Sequence, residues 1–168
     1  KKYFYSVGLH KEGGLNILNR FIQENKNHVY ILDKRLKNKI KIKNSHFKSN
    51  NFISIIINLI YLKFKLNKED HLIFLNGLPP VLKYKCNVSV MFQNANLFRE
   101  FYKIKTIKWL FSKDFLRFLD FKIGLSNVDN WYVFSLISKK ILNNYLKNYT
   151  NIKIIKIFEN YKSLDLDK

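Results

Sequence analysis

Short, continuous apolar runs alternate with longer amphipathic stretches along almost the whole chain, a rhythm that predicts β-strands separated by helices. Tyr3 to Val7 is aromatic and β-branched and runs into Gly8, which predicts a first strand ending in a turn. Gly13-Gly14 then precedes a helical pattern with Leu15, Leu18, Phe21 and Ile22 on one face, so the chain opens as strand, glycine turn and helix. His28 to Leu32 reads as the second strand with Asp33 at its end. Lys39 to Lys43 alternates Lys and Ile as a half-exposed edge strand would.

Phe52 to Phe64 is apolar at most positions and predicts a long buried helix. Its uninterrupted apolar length falls short of the roughly 18 to 20 residues that a membrane-spanning helix needs. His71 to Leu75 and Val88 to Phe92 are continuous apolar runs, as expected of parallel strands buried on both faces. The first leads into Asn76-Gly77-Leu78-Pro79-Pro80 and the second into Gln93-Asn94. Asn96 to Leu119 predicts one or two helices, with Gly124 closing that section. Asn130 to Phe134 is a further strand, and Ser135 caps a helix striped by Ile137, Ile141, Leu142, Tyr145 and Leu146. Ile152 to Phe158 supplies the last strand.

The pattern predicts a single α/β domain over residues 1–158, with a doubly wound, mostly parallel sheet, followed by a polar tail or interdomain linker over 159–168. In such a sheet ligands bind beyond the carboxyl ends of the strands. Here those ends are Gly8 to Gly14, Asp33, Asn76 to Pro80, Gln93 to Phe98 and Ser135.

Composition supports a packed interior, since 47% of residues are hydrophobic and 16% aromatic. A net charge of +19 would attract polyanions or anionic lipid. Only Arg20, Arg35, Arg99 and Arg117 are arginines, however, and Ala95 is the single alanine in a chain rich in Asn, Ile, Phe and Tyr. That bias is what AT-rich codons produce, and it leaves little of the residue that reads bases and phosphates bidentately, which argues against nucleic-acid binding as the main role. Cys86, the one cysteine, excludes an internal disulfide and fits a reduced, cytoplasmic setting. The chain starts at Lys1 with a strand already under way, so residues are expected to be missing upstream.

Gly8 and Gly13 have a phosphate-loop spacing, but Gly14 and Leu15 stand where Lys and Ser/Thr would engage phosphate and magnesium, and the dinucleotide fingerprint fails on spacing. Two glycines at a helix start still let a ligand approach free N–H groups at the positive end of the helix dipole. The Asn76 to Pro80 turn holds backbone groups at the sheet rim, and the amides of Gln93 and Asn94 can read sugar hydroxyls. Of the dispersed histidines only His10 sits in a candidate site loop, which makes it the candidate general base. No Ser/His/Asp order, paired carboxylates or metal-ligand spacing stands out, so no metal is expected.

Lys11 to Leu18 (KEGGLNIL), Leu72 to Pro80 (LIFLNGLPP), Val88 to Phe98 (VSVMFQNANLF) and Asn151 to Ile157 (NIKIIKI) together resemble the N-terminal domain of group 1 glycosyltransferases with the two-domain GT-B fold. The resemblance covers nearly the whole chain. It implies a Rossmann-like acceptor-binding domain facing a second, donor-binding domain that this sequence lacks, so the chain alone is not expected to transfer sugar. The implied enzyme is a retaining hexosyltransferase that uses a nucleotide sugar as substrate and no cofactor. Its acceptor would be a glycan or lipid-linked acceptor in surface polysaccharide or lipopolysaccharide synthesis at the inner membrane face. By this likeness Gly13 and Gly14 lie near the donor, and Asn76, Gly77, Gln93 and Asn94 line the acceptor side. A His that many members place at the end of the Val88 strand is absent, as is a Glu that often follows the glycine pair, where this chain has Asn16. The alternative is a non-catalytic basic module that binds nucleic acid or an anionic membrane.

Overall fold

The computed structural model describes residues 1–24, 27–92, 113–146 and 152–154. Seven strands form one sheet: β1 (Lys2–Tyr5), β2 (Val29–Asp33), β3 (Ser45–Lys48), β4 (His71–Phe74), β5 (Asn87–Phe92), β6 (Asn130–Val133) and β7 (Ile152–Ile154). Their order is β3-β2-β1-β4-β5-β6-β7 and every pairing is parallel, a Rossmann-like arrangement. Tyr3, Phe4 and Tyr5 are all buried, as are all five residues of β2. A strand covered on both faces has no solvent side, which is why these runs are continuous rather than alternating.

Among the described residues four helices flank the sheet: α1 (Glu12–Glu24), α2 (Phe52–Lys65), α3 (Lys113–Gly124) and α4 (Leu136–Tyr145). Helix α1 packs Leu15, Leu18, Phe21 and Ile22 on one face, against Phe4, Tyr30, Leu32 and Ile73. The opposite face carries Leu62 of α2, Phe121 of α3 and Leu142 of α4, over Tyr5, Phe74, Val90 and Trp131. Trp131, the largest fully buried side chain, meets the Phe121 ring at 5.9 Å between centroids and anchors α3 on β6. Ser135 caps α4 as the sequence predicts, its side chain accepting the Ser138 N–H. Asn51 does the same for α2, through Ser54.

Three expectations change. The edge strand is Ser45–Lys48, not Lys39 to Lys43; Ile40 is buried beside α1 with Leu36, so the Lys/Ile alternation marks a loop pressed on the core. Gly13 and Gly14 do not form a turn but sit in the first turn of α1; the positive-φ glycines are Gly8 (98°) and Gly77 (80°). Helix α2 exists, but it is not a buried core helix: only Asn58 and Leu62 are buried, and its outer side exposes large apolar side chains. The last strand is described for Ile152–Ile154; the rest of the predicted Ile152 to Phe158 run, and the 159–168 tail, lie outside the described residues.

Candidate functional site at the strand-order reversal

Because all strands run in one direction, their carboxyl ends gather on one rim of the sheet. Strands β1 and β4 are neighbours, yet β1 connects towards β2 and β4 towards β5, so the loops leaving them diverge and open a crevice. That crevice has a volume of about 380 Å³, with Tyr5 and Phe74 from the strands, Gly8 and Asn50 on one side, and Asn76 on the other.

The β1 side is built from Ser6 to Lys11. The Ser6 hydroxyl donates to Ile31 O at 3.2 Å and the Leu9 N–H to Ser6 O at 3.0 Å, folding the chain sharply at Gly8. With φ at 98°, Gly8 has a conformation that a side chain would strain. Its N–H donates to Asp33 Oδ2 at 3.0 Å, which ties this loop to the end of β2. His10 Nδ1 lies 3.0 Å from Gly8 O. A carbonyl can only accept, so Nδ1 carries a proton; in the neutral ring this leaves the lone pair on Nε2, the tautomer a general base requires. Leu9 in turn packs on Gly14, where an added Cβ would come within 2.9 Å of the leucine side chain.

On the β4 side, Asn76 Oδ1 accepts the Leu78 N–H at 3.4 Å and Gly77 supplies the left-handed residue. The turn is held from behind by the end of α3. A Cβ on Gly124 would lie 2.9 Å from the ring and carbonyl oxygen of Pro79, so only a glycine allows this approach. Asn127 Nδ2 donates to Pro80 O at 3.0 Å and Val81 O at 2.9 Å. Gly124 itself has ordinary helical dihedrals, so its place at the helix end reflects close packing and not a left-handed cap.

The polar lining is mostly uncharged. Asn50 and Asn76 offer amides, and Tyr5 lines the crevice with a buried hydroxyl that has no hydrogen-bond partner. Burial pushes the Tyr5 phenol up, so it remains a neutral donor. Arg117 and Asp120 on α3 complete the wall, and desolvation raises the Asp120 carboxyl above its ordinary value. Such a set of two amides, a guanidinium and one carboxyl beside aromatic rings suits a polyhydroxylated ligand. Among the described residues no group of three His, Cys, Asp or Glu side chains could hold a metal ion.

No family model, curated protein or solved structure matches the chain.

Of the residues singled out from sequence, Asn76 lines the crevice, Gly77 shapes its turn, and His10 stands in the facing loop. Gly13 and Gly14 lie on the same loop-to-helix unit but not in the crevice lining: nothing lies within 4 Å of a Cβ built on Gly13. Gln93 and Asn94 lie outside the described residues. Tyr5, Asn50, Arg117 and Asp120 were not legible as site residues, because a tyrosine inside a strand, an asparagine before a helix and charged residues within a helix carry no motif.

Proposed function

We propose that the chain is the acceptor-binding half of a group 1 glycosyltransferase of the GT-B type. The carrying observation is that Gly8 and Leu9, which adjoin one segment bearing the resemblance, and Asn76 with Leu78 to Pro80, which belong to another, line one crevice at the strand-order reversal. In this reading the acceptor's hydroxyls pair with Asn50 and Asn76, over the Tyr5 ring. The first turn of α1, with Gly13 uncovered, faces the diphosphate of a nucleotide sugar held by a donor-binding domain. His10 Nε2 is the candidate base for the acceptor hydroxyl, and backbone dipoles stabilise the departing diphosphate without a metal. The hexosyl product would enter a surface glycan built on a lipid-linked acceptor at the inner membrane face.

Ligand-observed NMR of the full chain with a panel of hexosides and a lipid-linked disaccharide tests this. Saturation transfer to at least one sugar is expected, weakened about tenfold by Asn76→Ala. The high positive charge favours a second reading, a basic module for nucleic acid. Absence of sugar binding together with oligonucleotide binding that persists at physiological salt would replace the first reading with that one.

A further inference from the structure

Helix α2 is apolar on two opposite sides. At about 100° per residue, Ile55, Leu59 and Leu62 fall on one side of the helix, and they pack on or in the core. Ile53, Ile57, Ile60 and Phe64 fall on the other side and point to solvent, with Ile53 70%, Ile57 60% and Phe64 83% exposed. A soluble helix normally places charged residues there. The helix has no acidic residue, and the exposed Lys63 and Lys65 project about 100° to either side of the outer stripe. Lys65 Nζ lies 5.1 Å from the centroid of the Tyr61 ring.

The surroundings have one sign of charge. From Lys34 to Lys68 the chain contains lysines and Arg35 but no Asp or Glu. The edge strand β3 runs beside α2, and between them a cavity of about 210 Å³ is lined by His46, Lys48, Tyr61 and Lys65. A second copy of the chain on this stripe would bring the same lysines face to face, which opposes association. An anionic bilayer satisfies both features, taking the apolar stripe below its headgroups and pairing the lysines with lipid phosphates. The helix is 14 residues long, about 21 Å, too short to cross, and no described helix is long and apolar enough to do so.

We infer that the outer face of α2, with the flanking lysines and the β3 edge, is a docking surface that lies in the interface of an anionic membrane. The inference stands apart from sugar transfer, since vesicle binding needs neither donor nor acceptor. Co-sedimentation of the full chain with phosphatidylcholine vesicles, with and without about one-third phosphatidylglycerol, tests it. Binding is expected only to the anionic vesicles and is weakened by salt. The triple variant Ile53→Ser, Ile57→Ser, Phe64→Ser is expected to bind about a hundredfold less well. Its circular dichroism melt should be preserved, because these side chains lie outside the core. Phe64→Trp, which leaves the stripe apolar, is expected to show a blue-shifted emission on anionic vesicles. Equal binding by the parent and a folded triple variant would overturn the inference, as would an emission of the Phe64→Trp variant that stays unshifted at low salt. A parent dimer that the triple variant converts to monomers, with vesicle binding intact, would assign the stripe to a second copy instead.

Discussion

The carboxylate of Asp33, at the end of β2, accepts a hydrogen bond from the Gly8 N–H at 3.0 Å, across 25 residues of sequence. The same carboxylate takes Arg35 Nε at 2.8 Å and Nη2 at 2.6 Å, and it also accepts the Arg35 N–H. One buried acid thus holds the crevice loop against its neighbouring strand and cancels its own charge locally.

The Arg35 side chain, and after it the backbone N–H groups of Arg35 and Gly8, outweigh burial and hold the Asp33 carboxyl at about 2. A folded-state value below the unfolded one gives stability that is present above about pH 4 and is lost as pH falls through about 2. Asp33→Ala is expected to cost about 1–3 kcal/mol, because it strands the Gly8 N–H, and to flatten that acid limb. Urea unfolding at a series of pH values measures both.

Gly124 and Gly13 should respond to alanine in opposite ways. Gly124→Ala drives a methyl to 2.9 Å from Pro79, backbone included, and is expected to cost about 1–3 kcal/mol while displacing the Asn76 turn. Gly13→Ala meets open space inside a helix and is expected to stabilise by about 0.5–1 kcal/mol. Thermal melts of the two variants give the comparison. If Gly13 lies against a donor diphosphate, the stabilised variant should still lose transfer in the complete enzyme.

Tyr5→Phe removes a buried hydroxyl that has no partner in the protein. Such a group normally costs stability, so the variant is expected to unfold at the same or a higher urea concentration than the parent. Lowered stability would mean that the hydroxyl is satisfied by water.

His71 Nε2 lies 2.7 Å from the Ser89 hydroxyl, at the amino ends of the strands and away from the crevice. Desolvation, followed by the charge of Lys2, pushes the His71 imidazole below its ordinary value. The unfolded chain therefore binds the proton more readily, and stability falls as pH drops below about 6.5. His71→Asn should flatten that part of the profile. Urea midpoints at pH 7.5 and 5.5 measure the difference, and an unchanged slope would assign it to His28 or His46, whose values burial also lowers.

Local pattern determined the parts of this protein whose signal is intrinsic to a short window. Runs such as Val29–Asp33 and Asn87–Phe92 are apolar on both sides because a parallel strand is covered on both faces, so strand positions and fold class could be read directly. Ser135 and the Asn76-Gly77 turn were equally plain, since a cap and a left-handed turn residue act within a few bonds. Where hydrophobicity is satisfied was not readable. The Lys39 to Lys43 alternation reads as the edge strand, and only the pairing of Tyr30 with Ser45 through Asp33 with Lys48 gives that place to Ser45–Lys48. The apolar α2 run looked like core from both sides, yet the sheet offers it one surface and leaves Ile53, Ile57 and Phe64 outside. The crevice itself depends on the reversal of strand order between β1 and β4, which joins Gly8 to Asn76 across more than sixty intervening positions. No window of sequence contains that relation, because it arises from which strand pairs with which.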